Sequence, residues 1–310
     1  MRKFIIDTDT ASDDAVALVM ALQDPDIDVR AITVVAGNVP LEQAVQNALY
    51  TVALCGRDTP VYSGCAKPIL RELETAQEVH GADGMGDIGL PLSGRAPAPG
   101  HAVDVLRQVI RDNAGDITLV TLGPLTNVAL ALLREPELAE QVERCYIMGG
   151  IGAGHGNVTP TAEFNIWADP EAAKIVFESG MKMTMVGWDI SWKYATFDPG
   201  QAAEIRAIGT PLASFVVDIQ ATLTAYALES TQLAGFDLPD PVTMAVAIDP
   251  GLGTFRDYRV DVTTGEGLQR GITVLDVLGV TGRAPQMTVT TGVDRAAFVD
   301  MLRRSVARPV

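Results

Sequence analysis

Three cysteines in 310 residues, Cys55, Cys65 and Cys145, stand too far apart and too irregularly to form a disulfide framework or a zinc site. They read as buried thiols of a reducing compartment, and a cytoplasmic protein is expected. Positive charge is also scarce, with 23 Lys and Arg against 39 Asp and Glu and a net charge of −16. So acidic a chain argues against nucleic-acid polymers and anionic membranes as partners, and says little about a small neutral substrate. No uninterrupted apolar run approaches the ~20 residues needed to span a bilayer. Only Phe4, Ile5 and Ile6 separate the N-terminal Met-Arg-Lys from Asp7, too few for the core of a signal peptide, so this run is expected to be a strand. No low-complexity linker and no internal repeat divides the sequence. Residues 1–310 are therefore expected to form one domain, and 47% apolar residues can fill its core.

What is present is concentrated near the start. Lys3 to Ile6 has the apolar character of a buried parallel strand, and Asp7 and Asp9 follow at its end. Two residues apart on a strand, they leave it on the same side. Ser12 has the place of a helix N-cap, with Asp13 and Asp14 in the first turn of the apolar run Ala15 to Leu22. Strand end, turn and helix start thus gather Asp7, Asp9, Asp13 and Asp14. Like charges in one pocket need compensation. A helix N-terminus supplies part of it, and a hard divalent cation such as calcium or magnesium supplies more.

Further along, strands are expected at Val29–Val35, Pro60–Ser63, Ile117–Leu122, Cys145–Met148 and Met183–Val186. Helices are expected between them, Pro40–Cys55, Val103–Asn113, Leu125–Arg134 and Pro170–Ser179. This alternation predicts an α/β fold with a mostly parallel central sheet flanked by helices. Helical patterns dominate Pro199–Ile248, a C-terminal elaboration, before strand character at Tyr258–Leu275 and Met287–Thr291 and a last helix, Arg295–Val306. Two glycine-rich loops interrupt the rhythm, one around His80-Gly81-Ala82-Asp83-Gly84-Met85-Gly86 and one from Gly149 to Asn157.

Several of the remaining candidates stand at strand ends or on these loops. Asn38 follows the second strand and could bind a hydroxyl or serve as a turn residue. The Leu122 carbonyl, just before Gly123-Pro124, has no evident ladder partner and is a candidate ligand for a hard cation. Glu163 and Asn165 are expected in an extended segment, facing one way, a pairing suited to a polyol. Asp240 lies between Pro239 and Pro241 and has the local character of a helix cap. His80 and His155 sit on the glycine-rich loops, whereas His101 opens a helix and is expected to be structural.

Taken together, Asp7-Thr8-Asp9-Thr10-Ala11-Ser12-Asp13-Asp14-Ala15 closely resembles the N-terminal signature of the inosine-uridine-preferring nucleoside hydrolases. The similarity continues in order through Gly37-Asn38, His80-Gly81, Gly123-Pro124-Leu125-Thr126-Asn127, Met148-Gly149-Gly150, Asn157, Ala162-Glu163-Phe164-Asn165, Asp169-Pro170-Glu171 and Asp240-Pro241. It implies a nucleoside-hydrolase-like fold and an N-ribohydrolase that acts on a small-molecule nucleoside with one bound calcium, Ca2+. By the same resemblance Asp9, Asp14, Asp240 and the Leu122 carbonyl would hold the metal, and Asp9 would deprotonate the attacking water. Asp13, Asn38, Asn157, Glu163 and Asn165 would hold the ribose hydroxyls, Met148 would pack under the sugar, and Asp7 would support from behind. Assembly would be a homodimer or homotetramer.

Two positions depart from the family pattern. Thr10-Ala11 replaces the frequent Pro-Gly of the signature turn. Pro239 stands where a His often protonates the departing base, or a Trp is found in purine-selective members. Pro239 can do neither, so the leaving-group proton is assigned to His80, with His155 as the alternative, while Trp188 and Trp192 are candidates to stack on the base. Other activities remain in view. Asp7-Thr8-Asp9 partly matches the nucleophile motif of haloacid-dehalogenase-type phosphatases, but Ala11 breaks the motif, and no late acidic pair follows a strand. A calcium-dependent nucleoside- or sugar-binding protein without turnover would keep the same cradle.

Overall fold

The computed structural model describes residues 1–230 and 233–309. Strand β1 (Arg2–Thr8) lies inside a sheet with β2 (Ile27–Val34), β3 (Val61–Ser63), β4 (Ile117–Thr121), β5 (Arg144–Met148) and β6 (Met183–Val186), in the spatial order 3-2-1-4-5-6. All of these pair in parallel. Met287–Val293 extends the sheet in parallel beside β6, and Gly253–Tyr258 closes that edge antiparallel, giving eight strands. The alternating α/β pattern and the mostly parallel sheet are thus as expected.

Why the sheet is covered on both faces can be read from β1 itself. Phe4 and Ile6 belong to the core on one side and Ile5 to the core on the other, as the two-residue period of a strand requires. Each is fully buried, worth about 1.5–3 kcal/mol apiece in apolar area removed from water. The first side is filled by the helices Ser12–Gln23, Leu41–Leu54, Pro239–Ile248 and Arg295–Val306. The second is filled by Ala102–Asp112, Thr126–Arg134 and Pro170–Phe177. The Ser12–Gln23 helix is buried along its whole length, which accounts for a sequence that is apolar on every face.

The C-terminal part is helical as expected, with Pro199–Arg206, Pro211–Asp218 and Ala221–Ser230 preceding Pro239–Ile248. The stretch Pro211–Ser230 is long and apolar enough by composition to cross a membrane. Its Leu212, Ala213, Phe215 and Val216, however, pack into the core of the fold. Val260–Val262 and Thr273–Leu275 form a small antiparallel pair outside the main sheet.

The order of the strands positions the site. The chain runs outward from β1 to β2 and β3, then returns to the other side of β1 with β4. Between β1 and β4 the direction of winding reverses, which opens a crevice at the carboxyl ends of those strands. Asp7 lies at that end, level with Thr33 of β2 and Thr121 of β4.

Candidate active site

A cleft of about 730 Å3 opens at this edge. Asp13, Asn38, His80, Leu122, Met148, Asn157, Glu163, Asn165 and Asp240 all line it, together with His155, Trp188, Trp192, Asp237 and Pro239. Residues proposed from widely separated stretches therefore converge. Asp9 and Asp14 are completely buried and do not line the cleft.

The acidic centre is held by the close packing of three turns. Asp9 accepts a hydrogen bond from the Asn38 backbone N–H at 2.6 Å. Gly37 and Gly123 flank it so tightly that a Cβ on either would stand 2.1 or 2.7 Å from an Asp9 carboxylate oxygen. Asp14 accepts from the Thr8 hydroxyl at 2.5 Å and the Ala11 N–H at 2.9 Å. Carboxylate oxygens of Asp13, Asp14 and Asp240 lie within 4.8 Å of one another. Behind them, Asp7 accepts from Thr33 Oγ1 at 2.6 Å and Asn127 Nδ2 at 2.9 Å.

The electrostatics follow from burial. Desolvation raises the Asp9 and Asp240 carboxyls well above the usual range, and the Asp14 charge adds to both shifts. Asp14 is pushed up to about 7 by burial and by the Asp13 charge. Asp7 is also raised to about 7, by burial, although its Thr33 and Asn127 hydrogen bonds oppose the shift. The carboxylates of Asp14 and Asp240 lie within 4.8 Å of one another, so two like charges share one buried site. One oxygen each of Asp9, Asp13 and Asp240 is buried without a hydrogen-bond partner. No Lys or Arg is among the described residues that line the cleft. Unpartnered hard oxygens with no Lys or Arg facing them among the described residues fit a divalent metal, which would satisfy the orphaned oxygens and offset the gathered negative charge.

The structure corrects four local expectations. Ser12 is the first helical residue and not the N-cap. Its Oγ lies 3.1 Å from His80 Nδ1, while Asp14 reaches back to the Ala11 N–H in its place. Glu163 and Asn165 are not extended side by side: Phe164–Ala168 is a short helix and Glu163 is its N-cap. The Glu163 carboxylate accepts from the N–H groups of Gly150, Asn165 and Ile166, because a helix start presents unpaired N–H groups that an acceptor must satisfy. The Leu122 carbonyl does have a partner, since it accepts from Asn165 Nδ2 at 2.8 Å. A carbonyl has a second lone pair, so this bond aims the group and leaves it able to bind a cation. Asp240 does not cap its helix, which starts at Pro239 with Leu238 as the N-cap.

Among the sugar-side candidates, the Asn165 amide also contacts Met148 Sδ at 3.2 Å, and Met148 is buried beneath it. Asn157 is exposed on its loop, and its Oδ1 accepts from the Phe164 N–H at 2.9 Å. Burial raises Glu163 to about 7 despite its three backbone donors. His80 is buried 3.7 Å from Asp13 Oδ1, and desolvation outweighs that carboxylate to lower its pKa. His101 accepts from the Val103 N–H at the start of its helix, the structural role expected of it.

Sequence reasoning missed Asp237. Buried at the cleft wall, it takes the Trp188 indole N–H at 3.0 Å and the Ser191 hydroxyl at 2.7 Å on one oxygen. Its only signal in the sequence is an acidic residue three places before Asp240.

The chain belongs to the inosine-uridine preferring nucleoside hydrolase family, whose model matches residues 4–300. It is a glycosidase of the class that acts on N-glycosyl compounds. Among its relatives, the pyrimidine-specific ribonucleoside hydrolase RihA of Salmonella agona is 42% identical over 300 residues, covering 96% of both chains. Similar solved structures include a plant nucleoside hydrolase with 34% identity and a TM-score of 0.93, covering 99% of each chain. The purine-preferring ribonucleoside hydrolase of Gardnerella vaginalis matches with 33% identity and a TM-score of 0.91, covering 99% of this chain and 98% of its own.

Proposed function

We propose that this protein hydrolyses the N-glycosidic bond of ribonucleosides with calcium, releasing ribose and the free base. The observation that carries the reading is the group of buried carboxylates with unpartnered oxygens at the floor and wall of a cleft whose described lining has no cation. Asp9, Asp14, Asp240 and the Leu122 carbonyl are the proposed ligands, and Asp13 lies close enough to Asp14 and Asp240 to join them. Bound there, the cation supplies acidification and placement of a water.

The chain's own groups do the rest. Asp9 takes the proton of the water that attacks C1′. Asp13, Asn38, Asn157, Glu163 and Asn165 hold the ribose hydroxyls, with Met148 under the ring. Glu163 is fixed by three N–H donors and Asn165 by the Leu122 carbonyl, so little ordering remains to be done when the sugar binds. The anionic surroundings stabilise the positive charge that develops on the ribosyl ring as the bond breaks. His80 is proposed as the group that supplies or relays the leaving-group proton. Its Ser12 contact orients the ring, and burial lowers its pKa below the usual imidazole value.

The pyrimidine-specific relative RihA favours pyrimidine ribonucleosides as first substrates, while the solved purine-preferring relative makes inosine the necessary comparison. A cytoplasmic homodimer or homotetramer is proposed. Its support is the run of exposed apolar side chains Val277, Leu278 and Val280 and the three unpaired cysteines.

The test is release of p-nitrophenol from p-nitrophenyl riboside, beside uridine, cytidine and inosine, with calcium and with chelator. The riboside departs without a proton, so calcium-dependent cleavage of it reports on Asp9, the metal and the ribose contacts alone. Absence of release from every substrate, with calcium bound, would overturn the hydrolase reading. Pro239 favours one alternative, a binding protein without turnover, and that reading requires nucleosides to bind by calorimetry and remain intact.

A further inference from the structure

The cleft lining combines polar groups such as Asn38, Glu163 and Asn165 with a cluster of rings in which His155 packs against both Trp188 and Trp192. Within this cluster one side chain is fixed far more firmly than ring packing alone would achieve. Trp188 is buried, and its indole N–H is bonded to a carboxylate that also binds Ser191, one turn further along the same helix, Trp188–Tyr194. His155 meets Trp188 and Trp192 edge-on, with ring centroids 5.3 and 4.9 Å away.

The carboxylate is that of Asp237, and its place in the chain matters. Phe236–Asp237 pairs antiparallel with Thr196–Phe197, which follows the tryptophan's helix. The two segments are therefore joined by backbone as well as by side chains. Downstream, Leu238-Pro239 leads directly to Asp240 in the acidic centre. A single short segment with restricted backbone thus carries both an acidic-centre residue and the anchor of the aromatic wall. The distance between the place where C1′ would be attacked and the wall where a base would lie is set by this segment.

Resting on the hydrolase reading, we infer that Trp188 is the residue that recognises the planar heterocycle of the leaving base, and that Asp237 is the positioning residue that locks its indole. Pro239 offers no side chain able to hydrogen-bond or stack on a base, so recognition passes to the neighbouring wall. Charge assists the arrangement, because a hydrogen bond to a buried carboxylate is stronger than one between neutral groups. A fixed indole face presents a stacking surface already ordered before the base arrives.

The test is uridine binding by calorimetry in the presence of calcium, with ribose as a second titrant, in the full chain carrying Asp9→Asn to stop turnover, alone and combined with Trp188→Ala, Trp188→Phe or Asp237→Asn, beside uridine kinetics of the same three substitutions in the unmodified chain. Asn keeps an acceptor oxygen and Phe keeps a ring, so both are expected to fold. Loss of the stacking face should weaken uridine about tenfold to a hundredfold in Trp188→Ala. Loss of the charged anchor should weaken it about tenfold in Trp188→Phe and Asp237→Asn. Trp188→Phe and Asp237→Asn together should be no weaker than either of them singly, because both remove one contact. Ribose affinity should not change in any of them. Turnover of uridine should lose in KM while kcat is largely kept. Unchanged uridine affinity in all variants would overturn the inference, as would ribose affinity falling in step with uridine, which would place the effect in Asp240 and the sugar contacts. An unmodified chain that binds uridine without cleaving it would instead refute the hydrolase reading, and the same titrations would still decide the role of Trp188.

Discussion

At the scale of single residues, the site is built from groups whose ionisation is governed by burial more than by neighbours. Asp9 is the sharpest case. Asp9→Asn keeps the size and the Asn38 contact but removes the proposed base, so turnover should fall by about 10²–10⁴-fold while nucleoside binding persists. Parallel kinetics and calorimetry would show it, and retained turnover would reassign the base. His80→Ala should depress uridine cleavage and spare p-nitrophenyl riboside, and equal loss on both would remove His80 from the leaving-group step. Asp237 makes a prediction about pH. Burial raises it to about 6 against an ordinary 3.8, so the folded protein holds its proton more tightly than the unfolded chain. The stability it contributes is complete below its unfolded pKa and is lost as pH rises through about 6, roughly 3 kcal/mol at most. Asp237→Asn cannot ionise and should flatten that part of the stability profile. Urea midpoints in chelator across about pH 4 to 7 would measure it, and an unchanged slope would contradict it.

At the scale of elements, the site depends on loops that approach one another more closely than side chains allow. The turn after β2 and the turn after β4 close around Asp9 with Gly37 and Gly123. A methyl group at position 123 would stand 2.7 Å from Asp9 Oδ1 and 2.9 Å from its Cγ, so Asp9 or the turn must move. Gly123→Ala should cost about 1–3 kcal/mol of stability and weaken calcium binding together. Urea unfolding beside calcium titration tests the pair of effects, and a stability loss without a change in calcium affinity would separate the turn from the metal. The helix Phe164–Ala168 acts in a similar way. Its unpaired N–H groups fix Glu163, and its Asn165 fixes the Leu122 carbonyl, so one short helix orients both a proposed sugar contact and a proposed metal ligand.

At the scale of the molecule, the cost of gathering buried carboxylates must be met by the rest of the fold until a cation binds. Calcium should therefore raise the unfolding temperature markedly. At a hundredfold excess over Kd the linkage is about 2.7 kcal/mol, and chelator should reverse it. Scanning calorimetry with calcium, with chelator and with magnesium would show whether the effect is present and whether it selects the larger ion. Self-association is the other global prediction. Val277, Leu278 and Val280 expose apolar side chains together, and sedimentation equilibrium should find a dimer or tetramer, whereas a monomer would refute the assembly proposed.

How much of this was legible in advance depends on how far apart the cooperating residues lie in the chain. Asp7, Asp9, Asp13 and Asp14 were legible because a strand end and a helix start are local events, written in periodicity and turn chemistry over fourteen residues. The alternation of strands and helices likewise determined a mostly parallel sheet, since parallel neighbours need a crossover between them. Local reasoning failed where a side chain had a nonlocal alternative. Ser12 has the local sequence of a cap, but its hydroxyl meets His80, and the Leu122 carbonyl, unpaired by local sequence, accepts from Asn165 on another loop. The pairing of Trp188 with Asp237, 49 residues away, had no local trace at all. By itself the sequence determined the elements and the residue types gathered at their ends, because both follow from short-range sterics and hydrophobic period. Only the tertiary structure decided which oxygens meet and which stay unpartnered, because that depends on strand order and on the exclusion of water from a site assembled across the whole chain.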